Sequence, residues 1–403
     1  MPRVLRIINR LNLGGPTYNA VYLTKYLAPE YETMLLAGMK DESEASSAFI
    51  AEQEGVPFQY ISTMHRHVNL WNDWQAYKHI KKIILQFKPH IVHTHAAKAG
   101  ILGRWAALSC KVPVIIHTFH GHVFHSYFNS LTSRFIIEVE KYFARKCSSI
   151  IALSDNQKVE LLSVLKIPDK KICTIPLGFN MERFNIKQEE KRIKFRKRFM
   201  LGENDIAIGV VGRMVPVKNL EFFVDVIAKL LQETKRNFNV FMVGDGESKN
   251  NILYKIKQYG LSYSEMMEGD CKNVNFIFTS WDKKIDEVMA GLDLVSLCSL
   301  NEGTPVSIIE AQTAGKPVIS TNVGGVEDII ADGKTGLLSE VNNRKMFVQQ
   351  LKTLIENDEL RKNMGIQAKE NIGQRFNYLR LVKDTKLLYD NLLSQKTFDG
   401  GYE

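Results

Sequence analysis

The chain has 403 residues, 45% hydrophobic and 24% charged, which is the profile of a soluble globular protein too long for one core, so two domains are expected. Its five scattered cysteines (Cys110, Cys147, Cys173, Cys271, Cys298), with no C-x-x-C pair, fit reduced thiols in a cytosol better than a disulfide framework. The net charge of +9 is uneven: residues 1–185 hold 22 basic against 14 acidic residues, 186–198 hold 7 against 2, and 199–403 hold 24 against 28. A basic first half attracts phosphates, nucleic acid or an anionic membrane face.

The first residues, "MPRVLRIINRLNLGG", read as a strand entering a Gly-rich turn, with no apolar leader. No run approaches eighteen apolar residues, so no membrane span is expected. Short β-branched runs then alternate with amphipathic stretches. In the first half they are "VLRIINR", "TMLLAG", "IVHTH", "PVIIHTFH" and "SSIIALS"; in the second, "AIGVVGR", "NVFMVGDG", "NVNFIFTS", "LVSLCS" and "PVISTNVGG". This rhythm predicts an α/β protein of two doubly wound, Rossmann-like domains facing a central cleft, 1–185 and 186–379. The basic run "IKQEEKRIKFRKR" (186–198) reads as an exposed connector whose helix opens the second half. Residues 375–396 have helical spacing with no strand after them.

Several strand ends carry candidate chemistry. After the first strand, Gly14 and Gly15 let backbone approach a ligand, and the helix that follows offers free N–H groups to an anion. The loop is not G-x-G-x-x-G, so a dinucleotide site is only weakly indicated. "LWNDWQAYKHIKKIILQFK" (70–88) mixes Trp71, Trp74 and Tyr77 with Lys78, Lys81, Lys82 and Lys88, which suits either an anionic lipid surface or ordinary packing on a sheet. All ten histidines fall between His65 and His125. Those of "HTHAAKAG" and "HTFHGHVFH" (His93, His95, His117, His120, His122, His125) sit at strand ends. Without H-E-x-x-H or a nearby Cys, they read as groups orienting sugar or phosphate oxygens, or as structural residues, rather than as zinc ligands.

In the second half, Gly212 and Arg213 end a strand, and Lys218 follows five residues on, a pair suited to a diphosphate. "VGDGES" and the turn at Gly324 and Gly325 add two more Gly-rich strand ends, which together favour a nucleotide diphosphate. In "EGTPVSIIE" (302–310), a helix is expected over 304–315 with Thr304 as N-cap and Pro305 at N1. Glu302 then lies just before the helix and Glu310 about two turns later. Spacing alone leaves open whether these acids serve chemistry or packing.

The ordered set "NLGGP" (12–16), "HTHAAKAGILGR" (93–104), "HTFHGH" (117–122), "IPLGFNMERF" (175–184), "GRMVPVKN" (212–219), "EGTPVSIIE" (302–310) and "GGVEDII" (324–330) resembles the retaining GT-B glycosyltransferases with a Glu-x7-Glu motif. It is most similar to the bacterial enzymes that build surface polysaccharides and lipid-linked glycans. The resemblance implies transfer of a sugar from a nucleotide sugar, UDP favoured, to a glycan or lipid-linked acceptor, without a metal or other cofactor. It assigns Arg213 and Lys218 to the donor diphosphate, Glu302 to hydroxyls of the transferred sugar, and Glu310 to the ribose. Gly14, Gly15, Gly212 and Thr304 would line the donor, with "TSW" (Thr279, Ser280, Trp281) near its base. His120 would line the sugar site, with His95, Lys98 and His122 on the acceptor side. The C-terminal helix, about 380–396, would pack back on the first domain. The expected setting is the cytoplasm, with peripheral contact to the inner membrane face and no nucleic-acid partner. A nucleotide-sugar epimerase of the same fold and a non-catalytic nucleotide- or glycan-binding protein are the competing readings.

Overall fold

Each apolar run forms a parallel strand covered on both faces, which is why these runs read as nearly continuous rather than alternating. The computed structural model describes residues 1–12, 14–40, 46–65, 67–121 and 130–399, with side chains at all of these except 130–133 and 397–399. The chain divides into two units, Met1–Phe179 with Arg375–Glu403, and Asn180–Gln374.

The first unit holds β1 (Arg3–Ile8), β2 (Glu32–Gly38), β3 (Phe58–Ile61), β4 (Ile91–His95), β5 (Val114–Thr118), β6 (Ser149–Ala152) and β7 (Ile172–Thr174), in the order β3-β2-β1-β4-β5-β6-β7. The second holds β8 (Ile206–Val211), β9 (Phe238–Val243), β10 (Tyr263–Glu265), β11 (Phe276–Ser280), β12 (Leu294–Leu297), β13 (Val318–Thr321) and β14 (Gly336–Ser339), in the order β10-β11-β9-β8-β12-β13-β14. The order reverses between β1 and β4 in one sheet and between β8 and β12 in the other. Such reversals splay the following loops apart and open a crevice at the carboxyl ends of the strands.

The helix Tyr378–Asp399 completes the first unit. Its Leu381 and Tyr389 pack with Val4, Leu23, Leu27, Ile91, Val114, Ile116 and Ile151. A backbone bridge ties its start to Phe179, whose N–H donates to Phe376 O at 2.7 Å and whose carbonyl accepts from Tyr378 N at 3.1 Å. The crossing therefore lies at 179/180 and 374/375, a few residues before the positions read from sequence. In the second unit one core covers a single face of β8 and β9, where Ile206, Ile208, Val210, Phe238, Val240 and Met242 pack with Phe223, Ile227, Phe276, Phe347 and Leu351. Burying each such side chain contributes roughly 1.5–3 kcal/mol.

Two local expectations are corrected. The run 186–198 is not an exposed connector: its helix Gln188–Arg198 packs on the helix Ile285–Gly291 through buried Phe195. Arg192 and Arg196 both pair with Asp293 (2.8 and 3.2 Å), so much of the basic charge is neutralised within the unit. The helix expected over 304–315 spans Val306–Thr313, with Pro305 rather than Thr304 at the N-cap. Proline biases the residue before it away from helical dihedrals, and Pro305 itself is extended at ψ 105°, so the first helical carbonyl is its own.

Candidate active site

In the second unit the loops after β8 and β12 meet at the reversal of strand order. β8 ends at Val211, and the chain turns through Gly212 and exposed Arg213 into a single 3-10 turn, Pro216–Lys218. β12 leads into Ser299 and Glu302. The Lys218 ammonium bonds Glu302 Oε1, and the same oxygen accepts from Ser299 Oγ at 2.5 Å. Thr321 Oγ1, at the end of β13, donates to Ser299 O at 2.6 Å and so fixes the loop from the other side. Glu302 is thus a half-sheltered carboxylate with one oxygen committed to a cation and a hydroxyl.

Backbone closeness surrounds this pair. A Cβ on Gly325 would collide with the Gly303 carbonyl, next to Glu302, and Gly325 N donates to Glu302 O at 3.1 Å. A Cβ on Gly244 (φ 141°) would strike the Gly212 carbonyl and lie 3.5 Å from Trp281. A Cβ on Gly212 would sit 3.9 Å from Lys218 Cε. Trp281, Gly244, Gly212, Lys218, Glu302, Gly303 and Gly325 therefore form one continuous track along the carboxyl ends of β11, β9, β8, β12 and β13. Ser280, exposed with φ 56°, turns the chain into Trp281 and accepts from Gly244 N at 2.9 Å. Thr304 is half-buried beside the start of the helix.

Glu310 projects from the Val306–Thr313 helix and is buried, with Arg183 Nη2 3.4 Å from its Oε1. Burial raises its carboxyl to about 7, against the opposing pull of Arg183. Such a group accepts hydrogen bonds when ionised and donates one when protonated.

In the first unit Gly14 (φ 147°) precedes the helix Gly15–Tyr26 directly beyond β1. His95, at the end of β4, is fully buried, and its Nδ1 lies 2.9 Å from Nε2 of half-buried His120, just beyond β5. Burial lowers His120 to about 3, so the ring is neutral near neutral pH. Lys98 is held firmly: its ammonium pairs with Asp73 at 2.6 Å and donates to the carbonyls of His65 (2.8 Å) and His67 (2.5 Å). It ties the backbone of His65 and of His67 to the adjacent helices. His122 and His125 lie outside the described residues.

Sequence reasoning passed over Ser299 and Arg183 as functional groups. Ser299 touches Glu302 across a non-helical loop, and Arg183 is 127 residues from Glu310, so no spacing rule marks either. Among the described residues no three His, Cys, Asp or Glu side chains are grouped to share a metal ion.

Two seven-stranded parallel sheets, each with its loops gathered at a topological switch point, are the architecture of the GT-B fold. Residues 13–183 match the family model described as Glycosyltransferase Family 4, and residues 191–371 match Glycosyl transferases group 1. The chain belongs to this glycosyltransferase family. It is 29% identical over 339 residues to a UDP-Gal:alpha-D-GlcNAc-diphosphoundecaprenol alpha-1,3-galactosyltransferase of Escherichia coli, covering 84% of each chain. It is 24% identical over 344 residues to the capsular polysaccharide biosynthesis glycosyltransferase CapM of Staphylococcus aureus, covering 83% of this chain and 86% of that one. In fold it is similar to Anabaena Alr3699/HepE, solved in complex with UDP-glucose, with a TM-score of 0.79 at 18% identity over 97% of this chain and 100% of that one.

Proposed function

We propose that the chain transfers a sugar from a UDP-sugar to a hydroxyl of a lipid-diphosphate-linked glycan, with retention of anomeric configuration and without a metal, in bacterial surface-polysaccharide assembly. The observation that carries this reading is the track from Trp281 to Gly325, with Lys218 and Glu302 joined at its centre. Relatives that act on UDP-galactose or build capsule support the donor and acceptor classes.

In this reading Arg213 and Lys218 stabilise the charge that develops on the departing diphosphate, the part a metal plays in other enzymes. Backbone at Gly212 and Thr304 approaches the phosphates, and Gly14 and Gly15 are the proposed donor-binding residues of the first unit. Ser280 and Trp281 border the base, and Glu310 accepts the ribose hydroxyls. Glu302 grips hydroxyls of the transferred sugar. A double displacement would need a carboxylate free to attack the anomeric carbon. Glu302, held by Lys218 and Ser299, is better suited to accepting hydrogen bonds, and the acceptor proton passes to the leaving phosphate. In the first unit His120 is the proposed sugar-binding residue, with His95 and His122 on the acceptor side and Lys98 holding the backbone of His65 and His67.

An anionic membrane face is the proposed setting. Trp71 is 64% exposed and Trp74 41%, their rings 5.3 Å apart, and Lys78 Nζ lies 3.5 Å over Trp74. Trp105, 45% exposed, stacks on Tyr77 at 4.2 Å. Aromatic rings among lysines suit the headgroup layer.

The test is a thermal-shift panel of nucleotide sugars, then transfer to a lipid-diphosphate monosaccharide, with the product anomer read by NMR and the reaction repeated in chelator. Stabilisation by UDP-sugars and an α-linked product from an α-linked donor are expected, unchanged by chelation. An inverted product would refute retention, and epimerised UDP-sugar formed without acceptor would favour the epimerase.

A further inference from the structure

Arg6 stands in the middle of β1, fully buried, and no carboxylate pairs with it among the described residues. Its Nη1 donates to Thr24 Oγ1 at 2.9 Å and its Nη2 to Tyr389 OH at 3.1 Å, while Nε has no partner among the described residues. The equally buried Arg104 has Glu140 at 2.7 Å. A buried guanidinium without a counter-charge is costly, so its neighbourhood must use or tolerate its field.

That neighbourhood is a column of histidines. A guanidinium can only donate, so the Tyr389 hydroxyl accepts from Arg6 and directs its own hydrogen to His93 Nδ1, 2.6 Å away. The His93 proton therefore resides on Nε2, which donates to Thr118 Oγ1 at 2.7 Å. The His93 ring stacks on His95, centroids 4.3 Å apart at 29°. His95 Nδ1 then meets His120 Nε2. That bond needs a bare nitrogen on one ring, so it fails once both rings are protonated. With both rings neutral, the outer nitrogens, His95 Nε2 and His120 Nδ1, are always one donor and one acceptor, whichever ring holds the shared proton. Both are buried and without a protein partner among the described residues.

We propose that Arg6 and Tyr389 are positioning residues for the His95–His120 pair: on top of what burial does, the unpaired guanidinium bonded to Tyr389 disfavours a second positive charge on His95, and Tyr389 fixes the ring on which His95 stacks, so that the pair offers one donor and one acceptor nitrogen to a hydroxylated ligand. The ligand class rests on the reading of the first unit as facing sugar. The groups that act on the pair are Arg6 from β1, His93 from β4 and His117 from β5, and Tyr389 of the C-terminal helix reaches it only through His93. Burial, and then Arg6, hold His93 well below the usual imidazole range. For His95 burial acts first, then His93, His120 and Arg6. The C-terminal helix thereby becomes part of the site's machinery rather than only a covering for the sheet.

The test follows the histidine ring signals of the full chain by NMR against pH, without substrate, and the pH profile of transfer. In the wild type the pair titrates well below the ordinary imidazole range, at the acid edge of folding, and this titration sets the acid limb of kcat/KM. Arg6→Met is expected to raise its titration by about one pH unit or more and to move the acid limb of kcat/KM up by a similar amount. Arg6→Lys, which keeps the charge, restores wild-type behaviour. Tyr389→Phe leaves the titration low but releases the His93 tautomer, seen in its ring nitrogen shifts, and lowers kcat about tenfold with donor KM unchanged. A folded Arg6→Met with wild-type histidine titration overturns the proposal, and Arg6→Gln replaces it should Arg6→Met fail to fold. Because the titration is read without substrate, a chain that shifts as expected yet transfers no sugar refutes the proposed reaction and leaves the electrostatic role of Arg6 standing.

Discussion

Lys218 and Glu302, 84 residues apart in sequence, share one hydrogen-bonded oxygen at the switch point of the second sheet. The pair holds the carboxylate in a fixed orientation, and in the proposed reaction it aims a cation at the diphosphate. Lys218→Met should lower kcat by about 10²–10³-fold, the usual loss when one donor to developing charge is removed. Ser299→Ala, which leaves the ion pair, should cost nearer tenfold. Steady-state kinetics with a UDP-sugar donor check both. Wild-type turnover in Glu302→Gln would end the assignment.

Glu310 carries a pH signature. Its carboxyl is raised by burial to about 7 from an ordinary value of 4.5. Between these values the native state binds more protons than the unfolded chain, so stability falls as pH rises and levels off above the folded value. The loss is at most about 3 kcal/mol. Glu310→Gln stays neutral, so its Tm should match the wild type near about pH 5 and exceed it near about pH 8. Affinity of the wild type for UDP should rise over the same interval, since the ionised group accepts hydroxyls more strongly. Parallel Tm curves for the two proteins would show that Glu310 ionises normally.

Gly325→Ala tests whether the track needs its close backbone contacts. The added methyl meets the Gly303 carbonyl, and relief requires moving the peptide beside Glu302. A shift of about 1 Å in a positioned group costs on the order of 10² in rate, so kcat should fall by that amount while the protein stays folded. A crystal structure of the variant would locate the displacement.

For the exposed Trp71–Trp74 pair, replacing both with Ser should reduce sedimentation with phosphatidylglycerol vesicles without changing turnover on a soluble acceptor analogue. Replacing Lys78, Lys81 and Lys82 should weaken vesicle binding by about 1 kcal/mol each, with the effect fading at high salt. Equal binding to neutral vesicles would argue against the electrostatic part.

The ten strands visible in the sequence are the interior ones, covered on both faces. The four that were not read, β3, β7, β10 and β14, form the edges of the two sheets. An edge strand needs fewer apolar residues, and "FQYI", "ICT", "YSE" and "GLLS" are too short or too polar to declare themselves. In the site, Lys218 and Glu302 were legible because each sits at a fixed distance beyond a readable strand. The contact between them, and those of Ser299 and Arg183, depend on how neighbouring strands stack, which local spacing does not encode. The end of the basic run was misread for the same reason: its partners Asp282, Asp286 and Asp293 lie about 90 residues downstream.

The return of Tyr378–Asp399 to the first sheet also bears on the order in which the protein takes shape. During synthesis, residues 1–179 emerge with Leu23, Ile91, Ile116 and the Arg6 guanidinium still lacking their cover, and residues 180–374 must pass before it arrives. The second unit, contiguous in the gene, is free to fold first. A nascent chain would therefore display an unfinished, adhesive sheet while its neighbour is already built. Placing the segment 375–399 ahead of Met1 by circular permutation would make both units contiguous and remove that delay.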